Sequence, residues 1–207
     1  MKKIQGLIIG IAVICFAAIT SCVVYFGTPE IDTLVTNWFY QLRVPGLNTL
    51  MELITYAGNW ESITILCLLL LIFEKTRVPY GIPVAATAIG TTVIKSIVKP
   101  IVARPRPDVA MQLISEGGYS FPSGHAITSI AVYGLLIFLV HQYMEDRKKA
   151  MGLTIVLGIL AVGIGLSRIY LGVHYLTDVV GGWSAGIAVM VTVMMINQHI
   201  SAKKQQI

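Results

Sequence analysis

Two histidines, a carboxylate and several cations stand at the ends of strongly apolar segments between residues 99 and 178. His174 and Asp178 are four residues apart, so on a helix they would share one face. A carboxylate there can hold one imidazole nitrogen as a donor and leave the other free as a nucleophile. The same spacing also suits an ordinary polar pair, so these two residues alone predict no reaction.

A nucleophile that attacks phosphorus also needs cations to neutralise the phosphate. Arg106 and Arg168 are suited to bidentate contacts with phosphate oxygens, and Lys99 can add a point charge. Ser123 and Gly124 lie at the predicted start of a helix, where free backbone N–H groups and the helix dipole favour an anion. Ser123 is also an ordinary N-cap residue, which by itself predicts no anion site.

His125 follows these residues directly, and the ordinary pKa of histidine suits a general acid that protonates a leaving oxygen. A metal site is the rival chemistry, because His125, His174, Asp178 and Asp108 are all ligands by type. Three nearby cations would oppose a divalent ion, so we expect no metal there.

The rest of the chain has the composition of an integral membrane protein. Of its 207 residues, 56% are hydrophobic and only 12% are charged, whereas a soluble domain carries about 25% charged residues. The net charge of +5 comes without a free basic patch with interleaved aromatics, so we expect no nucleic-acid partner. Cys15, Cys22 and Cys67 lie in apolar runs and are predicted to be packing residues.

The apolar runs predict an all-α membrane bundle, a single domain over residues 1–207. Its six transmembrane helices are predicted at 4–26, 60–73, 80–98, 123–140, 150–169 and 173–196. Residues 28–58 predict a short amphipathic interfacial segment between the first and second helices. The second helix is short unless part of that segment continues it. The first run resembles a signal peptide as well, but its length favours a retained helix.

The connecting segments are predicted to be polar. Residues 74–79 read as a turn, and residues 100–122, rich in proline and without an apolar period, read as a loop. Five residues in or beside that loop either line the mouth of the site or are simply solvated, and the second is favoured because loops are usually polar. They are Lys95, Arg104, Asp108, Glu116 and Tyr119.

Six helices would put both termini on one side of the membrane. Nine of the fifteen Lys and Arg residues fall on that side, and five of the other six belong to or neighbour the motif residues. With those five set aside, the positive-inside rule places the termini in the cytoplasm and the motif residues at the extracytoplasmic face of the cell membrane.

The chemistry-bearing residues occur in three short sequences whose order and spacing resemble a known signature. It is that of the type 2 phosphatidic acid phosphatase superfamily, and the matching sequences are Lys99-x6-Arg106-Pro107, Pro122-Ser123-Gly124-His125 and Ser167-Arg168-x5-His174-x3-Asp178.

The resemblance implies a role for each of these residues. His174 attacks phosphorus and forms a phosphohistidine, Asp178 orients His174, and His125 protonates the leaving group. The phosphate is held by Lys99, Arg106, Ser123, Gly124 and Arg168. The resemblance implies no metal and no other cofactor.

By the same resemblance the chain is a membrane phosphatase whose partners are a lipid phosphate and the bilayer, with no obligate protein partner. Phosphatidylglycerophosphate is the first expectation for the substrate. Undecaprenyl pyrophosphate, phosphatidic acid, diacylglycerol pyrophosphate and transfer to an acceptor other than water are alternatives. A transporter is a different class, but the charges gather on one side with no pairing across two repeats.

Overall fold

Helices account for all regular secondary structure in residues 2–204, which is the part of the chain that the computed structural model describes. The helices are α1 Lys2–Phe26, α2 Glu30–Gln41, α3 Pro45–Tyr56, α4 Trp60–Ile72, α5 Glu74–Thr76, α6 Ile82–Val102, α7 Gly124–Tyr143, α8 Arg147–Tyr170 and α9 Leu176–Lys204. A π-helical turn, Arg77–Gly81, joins α5 to α6, and a 3-10 turn, Val109–Met111, lies in the loop before α7.

Five helical segments within the described residues are long and apolar enough to cross a membrane, and a bent pair can supply a sixth span. The pair is α3 and α4, whose axes differ by 46°. With only 13 residues, α4 is about 20 Å long, so it needs α3 to cover a hydrocarbon core of about 30 Å. The predicted all-α membrane bundle is confirmed, although the second span takes in part of the predicted interfacial segment.

The predicted turn at 74–79 is wrong, because the chain there stays helical through α5 and the π-helical turn into α6. The polar side chains expected to leave the helix bind the open end of α4 instead. Thr76 donates its hydroxyl to the carbonyl of Leu70 at 2.9 Å, and Arg77 donates to that of Leu71 at 2.9 Å. Because these carbonyl oxygens accept hydrogen bonds from side chains, they do not need water, and the segment need not form a solvated turn.

The loop predicted from residue 100 begins later, after Val102, with Pro100 inside the last turn of α6. The helix ends at Ala103, whose backbone is left-handed and whose N–H donates to the carbonyl of Lys99 at 2.9 Å. The last predicted helix also starts later than expected, at Leu176 rather than at residue 173.

Helix α7 lies at the centre of the bundle and packs against α6, α8 and α9. Two small residues of α9 allow its backbone to approach that of α7. A Cβ on Gly186 would lie 2.6 Å from the carbonyl oxygen of Ile127, and one on Gly182 would lie 2.9 Å from that of Ser123. This close contact, which two glycines four residues apart permit, brings the first turns of α7 and α9 together.

The corner between α2 and α3 is fastened to the end of α8 by Arg43. Its guanidinium donates to the carbonyl of Tyr170 at 2.7 and 3.1 Å and to that of Met111 at 2.8 Å. Gly172 lies under the same loop with φ of +74°, and a Cβ there would come within 2.0 Å of the Met111 oxygen. The segment predicted as interfacial is therefore part of the structure that holds the loops of the site.

Candidate active site

The predicted site residues come from the ends of four helices and two loops, all at one end of the bundle. Lys99 is in the last turn of α6 and Arg168 in that of α8, while Ser123 immediately precedes α7. The backbone N–H of Ser123 donates to the carbonyl of Asp178 in α9 at 3.0 Å. The second and third signature sequences are thus joined directly through the backbone.

His174 and Asp178 form the predicted pair. Nδ1 of His174 lies 3.3 Å from Oδ2 of Asp178, and both side chains are almost fully buried. His174 stands in the link before α9 rather than on the helix, and the pair still meets because the Tyr175 N–H holds the same carboxylate oxygen at 2.8 Å. The other ring nitrogen, Nε2, lies 3.2 Å from Nη1 of Arg106 and so faces the cations.

The environment keeps His174 neutral. Burial lowers the pKa of His174 to about 4; Arg168 and Arg106 add to this shift, and the hydrogen bond and charge of Asp178 oppose it. At pH 7 one ring nitrogen is therefore unprotonated and carries a lone pair. With Nδ1–H directed at Asp178, the lone pair is on Nε2, which is the arrangement of an oriented nucleophile.

The three predicted cations lie near the pair of His174 and Asp178. Arg106 also donates to the carbonyl oxygens of Gly117 and Val173, both at 2.8 Å. Lys99 Nζ donates to the carbonyl of Tyr119 at 2.5 Å. Arg168, 1% exposed, donates to the hydroxyl of Thr55 at 3.0 Å and also pairs with a carboxylate of the loop.

That carboxylate is Glu116, and its predicted place among the solvated loop residues is wrong. Glu116 forms ion pairs with both Arg106, at 3.3 Å, and Arg168. Burial alone would raise the pKa of Glu116, but the charges of Arg168 and Arg106 outweigh it and lower that pKa below its ordinary range. An ionised carboxylate thus lies between the two guanidinium groups that the sequence assigns to phosphate.

His125, in the first turn of α7, is held by a residue that the sequence did not indicate. Its Nε2 lies 2.8 Å from Oδ1 of Asn59, in the link between α3 and α4. An amide oxygen can only accept a hydrogen bond, so Nε2 carries a proton and Nδ1 is the nitrogen left for proton transfer. The only sequence signal was that Asn59 precedes the interfacial Trp60.

Ser123 occupies the N-cap position of α7, as predicted, but its side chain makes no capping hydrogen bond. Its hydroxyl is buried with no partner among the described residues, as is Nε of Arg168. Two buried donors without an acceptor cost about 1–3 kcal/mol each. Gly124 beside them has little room for a side chain, because a Cβ would lie 3.3 Å from the Lys95 stem.

A cavity of about 700 Å³ leads from these residues to the side of the bundle between α4 and α6. His174, His125 and Arg106 line its polar end. Its walls are mainly apolar and include Ile63, Cys67, Leu68, Ala85, Ile89 and Val93. Several of these side chains are half exposed on the face that would meet lipid, so the cavity opens sideways.

Arg104 is the second residue wrongly predicted to be solvated. It is only 3% exposed and forms ion pairs with Asp178 and with Asp32 of α2. Ser120 also donates its hydroxyl to Asp178. The Arg-Pro-Arg-Pro run around Arg104 was a possible signal, whereas nothing in the sequence set Asp32 apart. Of the other predicted solvated residues, Asp108 and Tyr119 are exposed.

A metal site was the rival interpretation of these residues. Within residues 2–204, no three His, Cys, Asp or Glu side chains come together as a metal site would need. Asp108, one of the four ligands considered, instead accepts a hydrogen bond from the N–H of Ala110 at 2.9 Å.

Comparison with known proteins identifies the family of this chain. The model of the PAP2 superfamily matches residues 79–201, which include all three signature sequences. Phosphatidylglycerophosphatase B of Bacillus subtilis is 30% identical over 84% of this chain and 87% of its own length. An undecaprenyl-diphosphatase of Sulfolobus acidocaldarius is 30% identical over 70% of this chain and 68% of its own.

A solved structure agrees with this assignment. The crystal structure of a transmembrane PAP2 type phosphatidylglycerolphosphate phosphatase from Bacillus subtilis superposes with a TM-score of 0.84, at 26% identity, over 93% of this chain and 96% of that one. Sequence, signature and fold lead to one conclusion: this chain belongs to the PAP2 superfamily.

Proposed function

We propose that this protein is a membrane lipid phosphate phosphatase and that phosphatidylglycerophosphate is its main substrate. The observation that carries the proposal is the neutral, buried His174, whose Nε2 faces Arg106 at the polar end of an apolar cavity. Because residues from α2 to α9 contribute to the site, we infer that the chain acts as a single phosphatase domain.

The reaction takes two steps. Nε2 of His174 attacks phosphorus, and the bond to the lipid oxygen breaks. His125 enters this step as the imidazolium, gives its Nδ1 proton to that oxygen and keeps its Nε2–H on Asn59. Asp178 accepts the Nδ1–H bond and balances the positive charge that the phosphorylated imidazole carries. His125, now neutral with its one proton on Nε2, takes a proton from water at Nδ1 as the water oxygen attacks phosphorus. The bond between phosphorus and Nε2 of His174 breaks, and orthophosphate leaves.

The phosphate has ready partners at this place. Lys99, Arg106 and Arg168 neutralise its charge, and a preorganised cluster of this kind stabilises the charge of the transition state. The unpartnered donors on Ser123 and Arg168 gain acceptors when a phosphate oxygen comes within reach. The N–H groups of the first turn of α7, beginning at Gly124, add the favourable end of a helix dipole.

The cavity suits a lipid as the carrier of that phosphate. Acyl chains can stay in the bilayer or along the apolar walls while the headgroup enters, which avoids about 0.8 kcal/mol for each CH₂ moved into water. The Bacillus subtilis relative supports phosphatidylglycerophosphate. The Sulfolobus acidocaldarius relative supports undecaprenyl pyrophosphate as the second candidate.

We further propose that the termini are cytoplasmic and that the site faces the extracytoplasmic side of the cell membrane. The positive-inside rule supports this orientation once the cations of the site are set aside. Trp60 and Tyr56 lie near the site end of the bundle and are 70% and 56% exposed, as residues of an interfacial belt would be.

Purified protein and a panel of lipid phosphates test the function directly. Orthophosphate release is measured from phosphatidylglycerophosphate, phosphatidic acid and undecaprenyl pyrophosphate, with the His174→Ala variant as the matched control. We expect the fastest release from phosphatidylglycerophosphate, without any added protein and in the presence of excess chelator. Release from none of the lipids would refute the proposal, and a chelator effect reversed by one metal would refute the mechanism.

A further inference from the structure

Arg104 lies between two buried carboxylates, only one of which belongs to the signature. Its Nη1 donates to Oδ1 of Asp178 at 2.5 Å, and its Nη2 donates to Oδ2 of Asp32 at 2.6 Å. The carboxylates are fully buried and the Arg104 side chain is 2% exposed. The guanidinium lies 4.2 Å from the centre of the Tyr175 ring, which closes the space beneath it.

Asp32 is fixed to the same place by a second set of bonds. It accepts from the N–H of Thr177 at 2.9 Å and from the Thr177 hydroxyl at 2.6 Å. Arg104 also donates to that hydroxyl at 2.8 Å. Helix α2 is thereby joined to the first turn of α9, one residue before Asp178.

Stability alone does not account for this arrangement. Burying ions is costly, and an apolar cluster of the same volume is often as stable or more so. The three charges of Asp32, Arg104 and Asp178 instead sum to −1, next to a ring that becomes cationic when Nε2 is phosphorylated. Without Arg104, Asp178 would be a desolvated carboxylate with fewer hydrogen-bond donors around it. Its ionised form would be less stable, and its orientation would be less well fixed.

We propose that Arg104 and Asp32 are positioning residues for the catalytic pair: Arg104 keeps Asp178 ionised and aimed at Nδ1 of His174, and Asp32 of α2 holds Arg104 in place. The inference rests on the proposed phosphatase function and adds helix α2 to its machinery.

Substitution at position 104 leaves the other charged groups around His174 and Asp178 in place. Those that face His174 and Asp178 from the neighbouring segments are Lys99 of α6, Arg106 and Glu116 of the loop, His125 of α7 and Arg168 of α8. A shift between variants at position 104 therefore reports the loss of one guanidinium. The ionisation of the substrate is common to all variants and cancels in the comparison.

The Arg104→Gln variant is assayed for the pH dependence of kcat/KM on phosphatidylglycerophosphate. Removing a positive charge beside Asp178 makes the imidazolium of His174 easier to form, so the acid limb should move to higher pH by about one unit. The value of kcat should fall about ten- to hundredfold, as when a residue that orients an active-site histidine is lost. Glu30→Gln is the control and should change neither quantity, because Glu30 is an exposed carboxylate of α2, the helix that carries Asp32.

Arg104→Lys separates charge from geometry. It keeps the cation but reaches the two carboxylates less well, so the acid limb should stay near that of the wild type while kcat falls. If Arg104→Gln does not fold, Arg104→Lys tests the positioning role of Arg104 by itself. An acid limb that moves in Arg104→Lys, or a wild-type kcat in either variant, would overturn the proposal.

Asp32→Asn tests the role of α2. If Asp32 acts through Arg104, the substitution should lower kcat in the wild type but have little further effect in the Arg104→Gln background. Additive losses would mean that Asp32 acts independently, for example through Thr177, and would overturn its assigned role. Failure of the wild type to release phosphate would refute the function itself, so the two failures are distinguishable.

Discussion

At the scale of single residues, the site depends on one imidazole kept neutral among cations. Burial lowers the pKa of His174 to about 4, against an ordinary value near 6.5. The nucleophile that we propose is the unprotonated imidazole of His174, so activity should require a pH above this lowered value. The acid limb of kcat/KM should consequently lie below pH 6, once the ionisation of the substrate has been subtracted.

The His174→Ala variant should lose turnover by about 10⁴-fold or more, because no other side chain replaces the nucleophile. Its folding should persist, as judged by size-exclusion chromatography and thermal unfolding. In the wild type, acid-quenched enzyme with labelled substrate should carry the label on His174. A label on another residue, or near-normal turnover by the variant, would show that the nucleophile has been misassigned.

Glu116 pairs with Arg106 and Arg168, the two guanidinium groups that the proposed mechanism assigns to the phosphate, so the carboxylate and the phosphate should compete. Glu116→Gln removes the competing charge and should tighten inhibition by orthovanadate about tenfold, the size of one charged hydrogen bond. The inhibition constant is measured at fixed pH. Asp108→Gln, an exposed carboxylate of the same loop, is the matched control. Weaker inhibition in Glu116→Gln would mean that this carboxylate orders the site rather than competing for it.

At the scale of helices, the opening between α4 and α6 should control which lipids reach the site. Ala85→Trp would fill the apolar part of the cavity and should lower kcat/KM about tenfold for long-chain substrates, since the chains would lose apolar contacts there. Dihexanoyl analogues, whose chains end before that depth, should be hydrolysed nearly as before. Ile159→Trp, on the exposed face of α8, is the control. Equal losses for short and long chains would contradict this path.

Sequence patterns predicted the long helices well because a run of apolar residues is a local property. They failed where the outcome depends on a distant partner. Thr76 and Arg77 stay helical because the end of α4 lies beside them, and Arg104 is buried because Asp32 comes from another helix. The spacing of His174 and Asp178 could be read locally, whereas the contact of His125 with Asn59 depends on the bend between α3 and α4.

At the scale of the whole molecule, the orientation in the membrane is open to a direct test. In a background without native cysteines, Ser115→Cys marks the loop of the site and Ala202→Cys marks the end of α9; both positions are exposed. An impermeant thiol reagent on wall-less cells should label position 115 and spare position 202. The reverse pattern would place the site in the cytoplasm and the substrate in the inner leaflet.

The sideways cavity has a consequence for how the enzyme meets its substrate. A lipid that enters between α4 and α6 arrives by lateral diffusion in two dimensions, so the rate depends on the mole fraction of substrate in the bilayer. Adding inert lipid at constant total substrate should slow the reaction, while adding buffer should not. The reaction rate should therefore follow the surface density of phosphorylated lipid in the leaflet around the protein.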